Sequence, residues 1–140
     1  MWIGTGYSGI DKLNLSHQYF THYYDYQTHV PDMANMVRSI FRDKQQRLWI
    51  GTDGAGAKYL APLDNQYHYI NHLFAEALSV PVEQLSLIVH DIIQDKHDVL
   101  WFATNLGLFT LDSNNKLEQV KPANTLFHAD TSFRNFALDD

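Results

Sequence analysis

The chain contains no cysteine among its 140 residues. Disulfides, thiolate chemistry and cysteine-bound zinc are therefore excluded, while the compartment stays open, because an oxidising space permits cysteine without requiring it. Basic charge is also scarce: 10 Lys and Arg stand against 16 Asp and Glu, a formal charge of -6. With no run of Lys or Arg, the chain lacks the basic face that nucleic acid or an anionic membrane surface would need. No apolar run approaches the roughly 20 residues that cross a bilayer, and Met1-Trp2-Ile3 is not followed by the apolar core of a signal peptide. If the module is exported, its targeting segment is expected outside these residues. What remains is a 45% hydrophobic, 14% aromatic sequence, about one domain long and apolar enough for a packed core.

Tryptophan is rare, and its placement organises the chain. The three indoles open three versions of one stretch: Trp2-Ile3-Gly4-Thr5, Trp49-Ile50-Gly51-Thr52 and, more loosely, Trp101-Phe102-Ala103-Thr104. From position 2 to 49 is 47 residues and from 49 to 101 is 52. A period of about 40 to 50 residues with one Trp-bearing strand per unit belongs to β-propeller blades rather than to helical solenoids.

The second unit supplies the template. Val37 to Asp43 alternates as a strand, Lys44 to Arg47 turns, and Leu48 to Thr52 follows as the Trp strand. Asp53-Gly54 predicts a two-residue type I′ hairpin into Ala57 to Leu60, and Gln66 to Leu73 reads as the fourth strand. Between His72 and Ser86 the spacing of Leu73, Phe74, Ala77 and Leu78 predicts a short helix ended by Pro81, an insertion that lengthens the second period. It reads either as a packing flap over a blade edge or as a ligand-contacting loop. The third unit repeats the pattern from Val89 to Lys121. The first enters at its Trp strand and runs through Ile10 to Leu15 into an aromatic outer strand, Gln18 to Tyr26. Phe133 to Asp139 aligns with Val37 to Asp43, a first strand without its blade.

The expected fold is thus all-β: a β-propeller fragment of about three four-stranded antiparallel blades. It comprises a partial blade over 1–26, blades over 37–73 and 87–121, and the first strand of a further blade over 132–140. Met1 is expected to belong to a piece of a longer chain. Three blades are below the usual range of about 4 to 8, and the open faces would expose apolar surface, so closure by oligomerisation is expected. A homodimer of six blades is favoured, with the Phe133 strand pairing with the partner's first sheet.

Arg47-Leu48-Trp49-Ile50-Gly51-Thr52-Asp53-Gly54-Ala55-Gly56, preceded by Val37-Arg38-Ser39-Ile40-Phe41-Arg42-Asp43, resembles the repeat of the two-component regulator propeller family. That pattern runs Val-Arg-x-Ile-x-x-Asp, a turn ending in Gly, then Leu-Trp-Ile-Gly-Thr. Departures fall at Gln46 and His97, which stand for the turn Gly, and at Ala103, which stands for Gly51. The resemblance implies a sensory module: the periplasmic or extracytoplasmic part of a membrane receptor whose kinase or diguanylate cyclase lies outside this chain, some members detecting oligosaccharides.

The second position of each first strand is basic: Arg38, His90 and Arg134. In a propeller that strand lines the central channel, so the three form a candidate ring for an anionic or hydroxyl-rich ligand; the competing reading has each tying its blade to the next. Trp2, Trp49, Trp101, Gly4, Gly51, Thr5, Thr52 and Thr104 recur as structural motif, and Asp43, Asp95 and Asp139 recur where a carboxylate would accept turn amides. Tyr19, Phe20, Tyr23, Tyr24 and Tyr26 form either a sugar-stacking surface or packing for a neighbouring blade. The eight histidines, including the pairs His17 and His22 and His68 and His72, carry no metal-ligand spacing on strands. No catalytic residue, metal or cofactor is expected. A ligand-sensing segment is the first reading; a propeller-fold lyase or hydrolase and a purely structural oligomerisation module are the alternatives.

Overall fold

The computed structural model describes residues 1–17, 19–26, 31–63, 66–121 and 132–137. The described chain is nearly all antiparallel β. A three-stranded sheet holds β1 (Trp2–Gly4), β2 (Ile10–Asn14) and β3 (Tyr19–Tyr23), and a short helix α1 (Pro31–Asn35) leads out of it. The next blade is β4 (Val37–Arg42), β5 (Leu48–Gly54), β6 (Ala57–Leu60) and β7 (Tyr67–Tyr69). After helix α2 (Asn71–Leu78) and a 3-10 turn at Val82–Gln84, a third blade follows: β8 (Leu87–Gln94), β9 (Leu100–Thr104), β10 (Gly107–Leu111) and β11 (Leu117–Gln119).

Alternation along β5 assigns its two faces. Leu48 and Ile50 join Ile10, Leu60, Trp2 and Tyr23 in the core shared with the first blade. Trp49, between them in sequence, joins Leu100, Phe102, Phe109 and Leu111 in the core shared with the third. The period-2 geometry of a strand thus packs one ribbon against both neighbours. Gly51 is required by the closeness of that stacking: a Cβ there would lie 2.7 Å from the Val89 carbonyl. Gly4 meets Val37 in the same way.

Several expectations are corrected by the structure. Asp53-Gly54 does not form a hairpin turn, because both residues extend β5 to pair with Ile88 and Leu87 of the next blade; the loop closes instead through Thr52 N–H on the Gly56 carbonyl, 3.0 Å. Only Gly54 of the two has the positive φ that both central residues of a type I′ turn would need.

The strand expected from Gln66 to Leu73 stops at Tyr69, and the helix begins at Asn71, whose amide accepts from Ala57 N–H and donates to the Ala55 carbonyl. That helix ends at Ser79 in the left-handed region, before Pro81, with Leu73, Phe74, Ala77 and Leu78 turned to the core.

The left-handed residue before the third Leu-Trp strand is Asp98, at φ 67, rather than His97; Gln46 is its equivalent at φ 65. Tyr24–Tyr26 continue β3 without strand pairing, and Gln18 lies outside the described residues.

At the C-terminal end, residues 132–137 form no strand. Phe133 N–H nevertheless donates to the Thr104 carbonyl at 2.9 Å, the bond that Val37 N–H makes to Thr5 at 3.0 Å. Phe133 so occupies the starting place of a first strand, though residues 132–137 pair with no strand among the described residues. Residues 138–140 lie outside the described residues.

Candidate functional site

In β4 and β8 an apolar residue, Val37 or Val89, packs against the Gly of the preceding blade's Trp strand, and a basic residue follows it. The register between β4 and β5 shifts between Val37 and Ser39, and between β8 and β9 between Val89 and Asp91. Arg38 and His90 are therefore the extra residues of two equivalent β-bulges, which turn a side chain away from the ladder. Arg38 remains half exposed and donates from Nη2 to Asp53 Oδ2 at 2.6 Å. Arg134 follows Phe133, and its segment is held again where Phe136 N–H donates to Asp91 Oδ2 at 2.9 Å. Asp91 Oδ1 also accepts from Ile92 N–H.

Electrostatics tie the three basic positions together. His90 is pushed below the ordinary 6.5 by burial first, then by the Arg134 and Arg38 guanidiniums, with Asp53 opposing them. The partner of Arg38, Asp53, is an acid that sequence reasoning assigned to a turn. Asp53 was legible only by comparing repeats: Asn105 holds the matching place, where its side-chain oxygen accepts from Ile88 N–H at 2.8 Å.

The other recurring residues build the blades. Asp43 accepts from Arg47 N–H, Arg47 Nε and the Trp49 indole, at 2.8, 2.6 and 2.7 Å. Asp95 accepts from the amides of His97 and Val99 and from the Trp101 indole at 2.9 Å. Asp112 caps a third turn of the same kind. The hydroxyls of Thr5, Thr52 and Thr104 donate to the carbonyls of Gly9, Gly56 and Gly107. Asp139 lies outside the described residues.

One group of residues went unread in the sequence. Lys58 and Asp25, both almost wholly buried, form an ion pair at 2.5 Å between the first two blades. The Lys58 ammonium also donates to the Ala34 carbonyl at 2.9 Å and lies 4.3 Å from the Tyr67 ring centre. Tyr69 donates its hydroxyl to Asp25 Oδ2 at 2.6 Å, while Asn35 exchanges two bonds with the Asp25 backbone. Burial lowers Lys58 from its ordinary value against the pull of Asp25. Burial, with the Asp25 charge, raises Tyr67 and Tyr69.

The aromatic cluster divides. Tyr19, Phe20 and Tyr26 are exposed, and Tyr26 borders, with Tyr23 and Tyr24, a cleft of about 390 Å³ also lined by His22, Asp25, Leu60, Gln66 and Tyr67. The ring centres of Tyr24 and Tyr26 are 4.6 Å apart. His22 binds Asp11 at 2.7 Å, and His68 stacks on Tyr59. Among the described residues no group of three or more His, Asp or Glu is placed to hold a metal ion, and no helix is long and apolar enough to cross a membrane.

Bladed sheets stacked through Trp-bearing ribbons, with bulged basic residues on their first strands, define a propeller-like repeat segment. Residues 32–54 match the family model described as Two component regulator propeller, the family whose repeat the sequence resembles. Two solved structures share the fold. Both are of the extracellular domain of BT4673 from B. thetaiotaomicron, described as a one component system in one and as a hybrid two component system in the other. They align with TM-scores of 0.60 and 0.60 at 19% and 18% identity, over 85% and 88% of this chain. The chain spans only 14% and 15% of those structures. No curated protein sequence matches the chain.

Proposed function

We propose that the chain is a non-catalytic sensory segment of an extracytoplasmic receptor, whose first-strand edge contacts a small ligand and whose signal passes to a kinase or diguanylate cyclase outside these residues. The observation that supports this reading is the Arg38–Asp53 ion pair at 2.6 Å beside His90 on the next first strand, with Arg134 on the C-terminal segment that Asp91 holds through Phe136. Guanidinium forks on a bulged edge are suited to grip a ligand rich in oxygen acceptors, an oligosaccharide among them. The family match and the extracellular origin of the similar structures support the sensory setting. Among the described residues the recurring Thr and Asp side chains are engaged in turns, which supports binding over turnover.

Calorimetric titration with oligosaccharide pools tests the proposal, with the same pools assayed for product. Saturable heat without turnover is expected, weakened about tenfold or more in Arg38→Gln or Arg134→Gln, the scale of one charge-assisted hydrogen bond. Turnover by the chain alone would overturn it.

For the chain on its own we also propose a homodimer, since two copies of three blades reach the usual range of about 4 to 8. The support is the Phe133 bond to Thr104, which repeats the Val37 bond to Thr5. A stable monomer at micromolar concentration in sedimentation would contradict it.

A further inference from the structure

The donor and acceptor balance of the first-strand cluster restricts its ligand, provided the site reading above holds. Arg38 and Arg134 together bring ten guanidinium N–H donors and no acceptor. Among the described residues, Asp53 on the neighbouring strand is the carboxylate that Arg38 engages, at 2.6 Å. Asp91, next to His90 in sequence, turns its two oxygens to the amides of Ile92 and Phe136. His90 adjoins Asp91, whose carboxylate holds the C-terminal segment at Phe136, and lies two residues after Ile88, the partner of Asp53; the Arg134 and Arg38 guanidiniums disfavour its charge and Asp53 favours it. A neutral polyol, which donates as often as it accepts, matches this surplus of donors and positive charge less well than an oxyanion does. An oxyanion would satisfy them, and its charge would replace that of Asp53 on the Arg38 fork.

We propose that this cluster binds an oxyanionic group, carboxylate or sulfate, carried by the ligand, and that Asp53 is a resident competitor which the ligand displaces from Arg38. Asp53 therefore sets the threshold for occupancy: it holds Arg38 in place when the site is empty and repels the anion that replaces it. His90 adds a proton linkage. The imidazole sits below its ordinary 6.5 because burial and two guanidiniums disfavour its charge. An arriving anion favours the imidazolium, so binding tightens as pH falls through that range and in turn raises the His90 titration midpoint.

The test titrates the 140-residue chain with sodium sulfate, sodium glucuronate and a neutral glucose oligomer, at matched chloride, at pH 7.5 and 5.5. The readouts are calorimetry and the His90 ring resonance, assigned with His90→Gln. Sulfate or glucuronate, whichever supplies the group, is expected to raise the His90 midpoint and to bind more tightly at the lower pH. Asp53→Asn should bind about tenfold tighter and Arg134→Gln about tenfold weaker, as expected for one charged partner lost or gained. If the neutral oligomer moves His90 in an Arg38-dependent manner and neither oxyanion does, the anion class is wrong and the site stands. If no probe moves His90, and Arg38→Gln and Arg134→Gln leave binding of the oligosaccharide pools unchanged, site and class fall together. Weaker binding by Asp53→Asn overturns the competitor role.

Discussion

The two junctions between blades solve one packing problem in opposite ways. Lys58 and Phe109 hold equivalent places, each opposite the residue that follows its blade's Trp, Ile50 in one case and Phe102 in the other. At the later junction, Phe74 of α2 meets Phe102 and Phe109 edge to face, with ring centres 5.4 and 5.1 Å away, and Phe102 meets Trp49 at 5.7 Å. At the earlier one, Lys58 reaches Asp25 and the Ala34 carbonyl, so the seal is ionic and hydrogen-bonded. The connection entering each junction accounts for the contrast. An eight-residue helix can present Phe74, whereas Asp25 and α1 bring backbone carbonyls and a carboxylate that only a polar partner satisfies. Equivalent positions in a repeat therefore share backbone geometry without sharing chemistry, and the linkers decide which chemistry is used.

The difference can be broken from either side. Phe102→Ala removes a ring with no exposed surface from the aromatic junction and should cost about 3–5 kcal/mol in denaturant unfolding, the largest effect expected. A loss below about 1 kcal/mol would mean that the aromatic seal collapses freely. Lys58→Met should cost about 3 kcal/mol by leaving the Asp25 carboxylate buried without its ammonium, and Lys58→Met with Asp25→Leu should recover much of that loss. Additive losses in the double variant would remove the ion pair as the basis of the contrast.

Smaller effects fall on the turns. Asp43→Asn forfeits charge-assisted bonds from Arg47 and the Trp49 indole and should cost about 2 kcal/mol. At the more exposed Asp95 burial works against the charge, but the Trp101 indole and the Val99 and His97 amides outweigh it and hold the carboxyl below 3.8. Because its folded value is depressed, its contribution is complete above pH 3.8 and is lost as pH falls through the folded value; Asp95→Asn should flatten that limb of an acid melting series.

The smallest effect is alkaline. Tyr67 and Tyr69 ionise later in the folded chain than in the unfolded one, so their contribution is full below their ordinary 10.0 and falls as pH rises beyond it. Lys58 has the opposite sign, since its lowered folded value makes stability climb with pH up to 10.5. Thermal midpoints from pH 8 to 11.5 should therefore rise slightly before they fall, and Tyr69→Phe should soften the fall.

What the sequence made legible was whatever recurs. The indole strand, the Thr that closes its loop and the Asp that receives the following turn each appear at fixed offsets, because every blade needs them. The bulged basic residues were visible for the same reason, although the bulge itself was not: register slips depend on pairing across strands. The Asp25 and Lys58 pair occurs once, between a connection and a strand 33 positions apart, and no periodicity points to it. Asp53-Gly54 misled because its local turn preference is overridden by pairing with β8. The helix start at Asn71 was missed because the amide that fixes it reaches back to Ala55 and Ala57, beyond any local window.

The indole-to-carboxylate bond in successive blades also has an optical consequence. Trp49 lies in the dry interior with Arg47 above its ring, Trp101 keeps one side partly wet, and Trp2 rests on Tyr23 with the Lys12 ammonium 5.4 Å from its centre. Three fluorophores in three polarities are thereby distributed one per blade. Chains that keep a single tryptophan would report the melting of each wedge separately, and the order in which their spectra redden would show whether the toroid segment comes apart as one body or peels from an end.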